Sequence, residues 1–140
     1  MEYLKNHWRF FNYQPDWSTF ANPFGNGYDG SDTSISCIVV CDEDNYETYV
    51  GYIMYTDMED DEMRINYIEV DPDQQGQGIG KNLVLKAIKD FKDKVNPNLK
   101  KVSLTAVSSA VGFYETLGFE KSDIRFRLND RNEVDMVLNI

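Results

Sequence analysis

The 140-residue sequence predicts a mixed α/β domain: a mostly antiparallel sheet flanked by two helices, at residues 78–95 and 109–117. Three observations predict it. Three strand-like runs at residues 34–41, 46–55 and 64–70 follow one another through polar turns, as in a meander. A glycine-rich turn, Gln75-Gly76-Gln77-Gly78-Ile79-Gly80-Lys81, then feeds a segment with helical spacing. Beyond it, strand patterns return at residues 101–107, 119–128 and 133–139, with one short helix between them.

Size and charge bound the function. One domain covering residues 1–140 buries a single core without staples. No apolar run nears the ~20 residues of a membrane span, and the polar start Met1–Asn6 is not a signal peptide. The expectation is therefore a cytoplasmic protein with no membrane partner. A net charge of −10 argues against nucleic acid, whose phosphates need a basic surface. Residues 1–73 hold 16 acids against Lys5, Arg9 and Arg64, a net of −13. Residues 74–140 hold 8 acids against 11 bases, a net of +3. An anionic ligand suits the second half, and the acidic half faces something else or is solvated surface.

Taken in order, residues 1–30 carry nine of the 19 aromatics, both tryptophans included, among Pro15, Pro23, Gly25, Gly27 and Gly30. No period survives there. One short ordered element near residues 7–13 is expected, then a loop that packs on the domain. The run at 34–41 is β-branched, and Cys37 and Cys41, four apart, read as reduced thiols on one face of a strand. No Cys or His stands near enough in sequence to suggest a metal, since His7 is the only histidine. A turn at 42–45 leads to 46–55, where Tyr49, Gly51, Ile53 and Tyr55 alternate with Val50, Tyr52 and Met54. Residues 57–62 hold five acids in six positions, a polar hairpin loop, and 64–70 closes the meander.

Ile79, Leu83, Val84, Ala87, Ile88, Phe91 and Val95 recur at three- and four-residue spacing, with lysines and aspartates opposite. That is a surface helix of about four turns, ended by Asn96-Pro97. Strand 101–107 follows. Ser108 or Ser109 is the expected N-cap of a helix through 110–117, and Gly118 its C-terminal cap. Strands 119–128 and 133–139 flank a turn at 129–132.

The glycine turn carries the chemistry. A helix start offers unpaired N–H groups and a partial positive charge, which suit a phosphate. Two phosphate loops fail the count: a dinucleotide fingerprint needs glycine where Lys81 stands, and a Walker loop needs Ser or Thr where Asn82 stands. What remains is Gln75-x-x-Gly78-x-Gly80, a Q/R-x-x-G-x-G/A pattern. A plain glycine turn at a helix start is its bland reading.

Strand, Gln-x-x-Gly-x-Gly, helix, strand, then Ala110-Val111-Gly112-Phe113-Tyr114-Glu115-Thr116-Leu117-Gly118-Phe119 resembles the GNAT superfamily of acyl-CoA-dependent N-acetyltransferases. The two motifs stand in order, 34 residues apart from Gly80 to Tyr114, and the resemblance covers about residues 34–139. Residues 1–33 do not resemble the family's opening strand and helix pair. The resemblance implies a sheet splayed between strands 64–70 and 101–107, with acetyl-CoA as co-substrate in the cleft. It implies that backbone N–H groups across Gln75, Gly76, Gln77, Gly78, Ile79, Gly80 and Lys81 hold the pyrophosphate. Ile68 and Val70 would pair with the pantetheine arm, and Tyr114 would be the general acid. The residues alone are neutral on Tyr114, which equally reads as a packed core tyrosine.

Two positions depart from the pattern. Where members often place a pantetheine-contacting Asn stands Val107, with Ser108 adjacent, and the positions of a base are Arg64 and Asn66. Neither accepts a proton usefully at neutral pH. Glu69 is the candidate carboxylate, although strand alternation puts it on the opposite face unless local bulging re-aims it. A water relay and a purely structural Glu69 stay open. The implied reaction moves acetyl from acetyl-CoA to a primary amine, a cationic one given the acidic half. The competing reading is a non-catalytic acyl-CoA-binding module that regulates a partner protein. The acceptor and the oligomeric state, a homodimer included, stay open.

Overall fold

The computed structural model describes residues 8–12, 35–42, 45–122 and 133–140. Among them seven strands form one sheet in the order β1-β2-β3-β4-β5-β7-β6. They are β1 Trp8–Asn12, β2 Ile35–Asp42, β3 Asn45–Asp57, β4 Glu62–Val70, β5 Lys101–Val107, β6 Glu120–Lys121 and β7 Glu133–Asn139. Helix α1 is Ile79–Lys94 and helix α2 is Val111–Thr116. Strands β1 to β4 are an antiparallel meander, β5 pairs β4 in parallel, and β7 inserts antiparallel between β5 and β6. A parallel pair needs a long crossover, and α1 is that crossover.

Several expectations change at their edges. The element near residues 7–13 is an edge strand on β2, so an opening strand is present after all. Residues 13–34, the turn residues 43–44, and 123–132 with the expected turn at 129–132 lie outside the described residues. Of the expected strand at 119–128, residues 119–122 are described, and only Glu120–Lys121 among them is strand. Neither Ser108 nor Ser109 caps α2: Ser108–Ala110 is a 3₁₀ turn, and Ala110 occupies the cap position with no side-chain bond. Gly118 does terminate α2, at φ 97°, with Phe119 N–H donating to the Tyr114 carbonyl at 3.1 Å.

Helix α1 buries Ile79, Leu83, Val84, Ala87 and Phe91 against Ile38, Val40, Ile53, Tyr55, Met63 and Ile65 of the meander. Val102, Leu104, Ala106, Val134 and Met136 extend the same core across β5 and β7. Truncating a buried leucine such as Leu83 in such a core costs about 2–5 kcal/mol. Cys37 and Cys41 are buried, form no disulfide, and do not belong to this α1-side core.

Among the described residues three register shifts break the expected alternation, two between β2 and β3 and one between β3 and β4. Opposite β2, the register jumps from Gly51 to Tyr49, which puts Val50 and Ile53 in one core. Opposite β3, it jumps from Tyr67 to Ile65, so Asn66 drops out of the ladder. A bulge of this kind reverses the facing of every residue beyond it. Ile65 and Ile68 therefore share the α1 side, and Tyr67 and Glu69 share the far side with Arg64.

The bulge between β3 and β4 lies where the sheet opens. Pairing of β4 with β5 runs from Glu62 opposite Lys101 to Ile65 opposite Leu104, and stops there. Both strands continue, to Val70 and Val107, without pairing. At the closed end, Asp61 holds the β3–β4 turn to the chain entering β5. Its carbonyl accepts from Lys100 and Lys101 N–H at 2.8 and 3.2 Å, and its carboxylate accepts from Asn96 Nδ2 at 2.8 Å.

Candidate active site

Beyond Ile65 the parted strands leave a cleft of about 680 Å³. One wall is Ile68, Glu69 and Val70 of β4. Ile68 pairs with Ile53 and Val70 with Gly51 on the β3 side, so the other backbone edge of this segment is the one turned toward the missing β5 partner. The opposite wall is Ser109, Ala110, Phe113 and Tyr114, and the floor is Gln75, Gly76, Gly78, Ile79, Gly80 and Lys81. The cleft thus brings together the sequence-predicted residues except Gln77, whose Nε2 instead donates to Gln74 Oε1 at 2.9 Å.

Local sequence explains the floor. Asp71 caps the 3₁₀ turn Pro72–Gln74 by accepting from Asp73 N–H at 3.0 Å. Gln75 Nε2 donates to the Val70 carbonyl at 3.0 Å and ties the turn to the end of β4. Gly76 at φ 83° and Gly78 at φ 86° take left-handed backbone that a side chain resists. Asn82 then starts the helical ladder: its N–H and its Nδ2 both donate to the Gly78 carbonyl, at 3.0 and 2.8 Å. The N–H groups of Ile79 and Gly80 come before that first bond and have no intrahelical acceptor. With the helix dipole behind them they suit an anion. Gly80 needs its bareness for another reason: a Cβ there would lie 3.3 Å from Phe113 Cζ.

Tyr114 is buried at 6% exposure, edge-on to Phe113 at 5.1 Å and to Phe119 at 5.7 Å between ring centroids. Burial pushes its phenol up to about 12, so the hydroxyl keeps its proton through neutral and mildly alkaline pH. It can donate a proton and is a poor base.

The bulge corrects the placing of Glu69. Alternation predicted it opposite Arg64, and the register instead puts both on the far side, where Tyr52 O–H donates to Glu69 Oε2 at 3.4 Å. Arg64 is engaged elsewhere: its Nη2 donates to Thr105 Oγ1 at 2.7 Å, and that hydroxyl donates to Asp135 Oδ1 at 2.7 Å. Val107 is half-exposed and outside the cleft lining, whereas Ser109 and Ala110 belong to it. Sequence reasoning missed Pro72, Ser109, Ala110 and, of most consequence, Phe113 as lining residues. An aromatic in a short helix reads as core, and its signal was the glycine at 80, whose meaning depends on that ring.

These groups suit an elongated ligand with an anionic end on the glycine turn and a hydrogen-bonding arm along β4. The volume falls within the roughly 300–1,000 Å³ of ligand sites. Among the described residues no cluster of His, Cys, Asp or Glu is arranged to hold a metal ion. No helix among them is long and apolar enough to cross a membrane.

Comparison with known proteins agrees with this architecture. A family model described as an acetyltransferase (GNAT) domain matches residues 31–140. The chloroplastic GCN5-related N-acetyltransferase 2 of Arabidopsis thaliana is 45% identical over 51 residues, 36% of this chain and 19% of that protein. The chain thus spans about a fifth of that relative's length. The PaiA N-acetyltransferase of Thermoplasma acidophilum, solved with coenzyme A, superposes with TM-score 0.61 at 20% identity, covering 76% of this chain and 62% of that one. Tetrahymena GCN5 gives 0.63 at 18% identity, covering 79% and 71%. At such identities the likeness is one of fold.

Proposed function

The chain belongs to the GNAT acetyltransferase family, and we propose that it moves an acetyl group from acetyl-CoA to a primary amine, with Tyr114 as general acid. One observation carries this reading: the β4 edge, the glycine turn and Tyr114 line a single cleft. In the proposal the pyrophosphate lies on the N–H groups of the turn from Gln75 to Lys81, and Lys81 adds positive charge. The backbone of Ile68 and Val70 bonds the pantetheine arm as an added strand would. Acetyl-CoA brings the activated thioester. Donors on the bulged strand polarise its carbonyl as negative charge develops there. Tyr114, held protonated by burial, gives its proton to the departing thiolate.

The amine must lose a proton before attack, because a lysine-like ammonium has a pKa near ~10.4. Glu69 is the carboxylate proposed for that task, directly or through water, since the bulge turns it to the far side with Arg64 rather than into the core. Glu133 and Asp135 lie on that same side of the sheet, opposite the buried Val134 and Met136. A cationic acceptor, such as a polyamine or a lysine-like amine, fits these carboxylates.

The test mixes the purified protein with acetyl-CoA and pooled amines, then reads free CoA thiol. Amine-dependent release is expected, with kcat/KM for cationic amines falling as salt rises, since exposed attractions are screened over ~10 Å at 0.1 M. An anionic amine as the best acceptor would defeat the charge argument. Tight acetyl-CoA binding with no release for any amine would favour a non-catalytic regulatory module.

A further inference from the structure

We propose that Phe113 is a positioning residue that couples the anion turn to Tyr114, so that the bare backbone of Gly80 sets the reach of the Tyr114 hydroxyl. The proposal rests on reading the cleft as the acetyl-CoA site with Tyr114 as its acid.

Phe113 lines the cleft and is 37% exposed there, unlike the buried aromatics around it. On one side its Cζ and Cε1 stand 3.3 and 3.7 Å from where a Gly80 Cβ would be. The first distance is tighter than ordinary carbon contact, so any side chain at 80 must push the ring. On its other side the ring meets Tyr114 edge-on, at 5.1 Å and 67°. Tyr114 meets Phe119 in the same manner, at 5.7 Å and 66°. The line Gly80–Phe113–Tyr114–Phe119 is therefore continuous from the first turn of α1 to the start of β6.

Its far end is fixed. Phe119 is 2% exposed, and its N–H donates to the Tyr114 carbonyl at 3.1 Å. The near end of α2 has no side-chain cap bond, and Ala110 and Val111 there are only partly buried against the core. A push from residue 80 therefore meets a wall at Phe119 and is taken up by the start of α2 and the Tyr114 ring. The glycine turn's general pattern admits alanine at this position, but in this chain an alanine methyl would stand 3.3 Å from the Phe113 ring, which must give by a few tenths of an ångström. A general acid must lie within hydrogen-bond reach of its target, so a shift of a few tenths of an ångström is felt in rate before it is felt in binding.

The test is a double-variant cycle of Gly80→Ala and Phe113→Leu, read by single-turnover acetyl transfer and by acetyl-CoA calorimetry. Because a misplacement of about 1 Å can cost about 10²-fold, Gly80→Ala alone should slow transfer roughly 5- to 10-fold. Acetyl-CoA affinity should change less than the rate does. Leucine lacks the ring edge that reaches Gly80, so in the Phe113→Leu background alanine at 80 should cost less than about twofold. That is a non-additive pair. If Phe113→Leu melts too low to assay, Phe113→Met, slender and flexible, takes its place in the cycle. Equal slowing by Gly80→Ala in both backgrounds, or no slowing in either, overturns the proposal. A wild type that binds no acetyl-CoA, or that binds it and transfers acetyl to no amine, overturns the functional reading and the coupling with it; wild-type calorimetry and wild-type transfer together tell that failure from failure of the coupling alone.

Discussion

The two ends of the β4–β5 pair are built from similar strand sequence and behave oppositely. From Glu62 to Ile65 the strands pair, and their side chains bond one another. Ser103 Oγ donates to Glu62 Oε2 at 2.7 Å, Arg64 reaches Asp135 through Thr105, and Asp61 ties the hairpin to Asn96. Beyond Ile65 the ladder ends, and backbone, glycine turn and Tyr114 face a cleft. Hydrogen-bonding capacity is used up internally at one end and left along a cleft wall at the other. The boundary between them falls at one bulge residue, Asn66. Changes at the open end should therefore alter turnover and binding, and changes at the closed end should alter stability.

The largest expected effect is on Tyr114. Tyr114→Phe keeps the ring and both edge contacts, so loss of a purely structural hydroxyl would cost at most about 1 kcal/mol of stability. As the general acid it is worth roughly 10²-fold in single-turnover rate, with acetyl-CoA affinity nearly unchanged. An unaltered rate in the folded variant would return Tyr114 to the core. The wild-type rate should not decline on account of this group near pH 10, because burial moves its loss of a proton up to about 12. Stability has its own alkaline limit. Cys37, ordinarily 9.0, and Tyr55 and Tyr114, ordinarily 10.0, are each raised to about 12, chiefly by burial. The folded protein keeps protons there that the unfolded chain releases, so stability is full below about pH 9 and is lost toward 12. Each group contributes about 1.4 kcal/mol per pH unit across its window. Melting temperatures measured from pH 8 upward check this.

Next in size is the glycine turn. Gly78→Asp sets a like charge against a pyrophosphate and a Cβ on backbone at φ 86°. Asp is a favourable N-cap and tolerates left-handed backbone better than most residues, so α1 should survive. Acetyl-CoA affinity should fall at least tenfold, about 1.4 kcal/mol. Unchanged affinity by calorimetry in the folded variant would sink the assignment of the turn.

Much of this contrast was legible in sequence because it rests on local chemistry. The glycine spacing at 76, 78 and 80, the apolar stripe of α1 and the cap at Gly118 each dictate their own backbone. The run 101–107 was read to its ends because Val102, Leu104 and Ala106 alternate without interruption into the core. The side of Glu69 was not legible. Nothing in Arg64-Ile65-Asn66-Tyr67-Ile68 announces a bulge, and skipping one residue reverses every later one. Phe113 was not legible either, since the space it leaves beside Gly80, 3.3 Å from where a Cβ would stand, relates two helices whose residues are 33 apart. Long-range placement, rather than local conformation, is what the pattern left open.

The smallest expected effect on turnover comes from the closed end, and it tests the comparison from the other side. Asp61 has φ 61°, following Glu59 and Asp60 at 66° and 53°, a run of left-handed residues without glycine. The turn is held by Asp61's own carbonyl, which any residue supplies, and by its carboxylate on Asn96 Nδ2 at 2.8 Å. Its 3.8 Å pair with Lys100 is exposed on the lysine side and adds little. Asp61→Ala loses the side-chain bond, about 1 kcal/mol, and puts alanine in a conformation it disfavours by about 1–2 kcal/mol. Stability should fall by roughly 2 kcal/mol in urea titrations, while the single-turnover rate stays within about twofold. Asp61→Asn is the control: asparagine accepts left-handed backbone and can still accept from Asn96, so it should lie within about 0.5 kcal/mol of wild type. If Asp61→Ala instead slowed transfer tenfold in fully folded protein, the closed end would be shaping the cleft, and the division of labour between the two ends would fail.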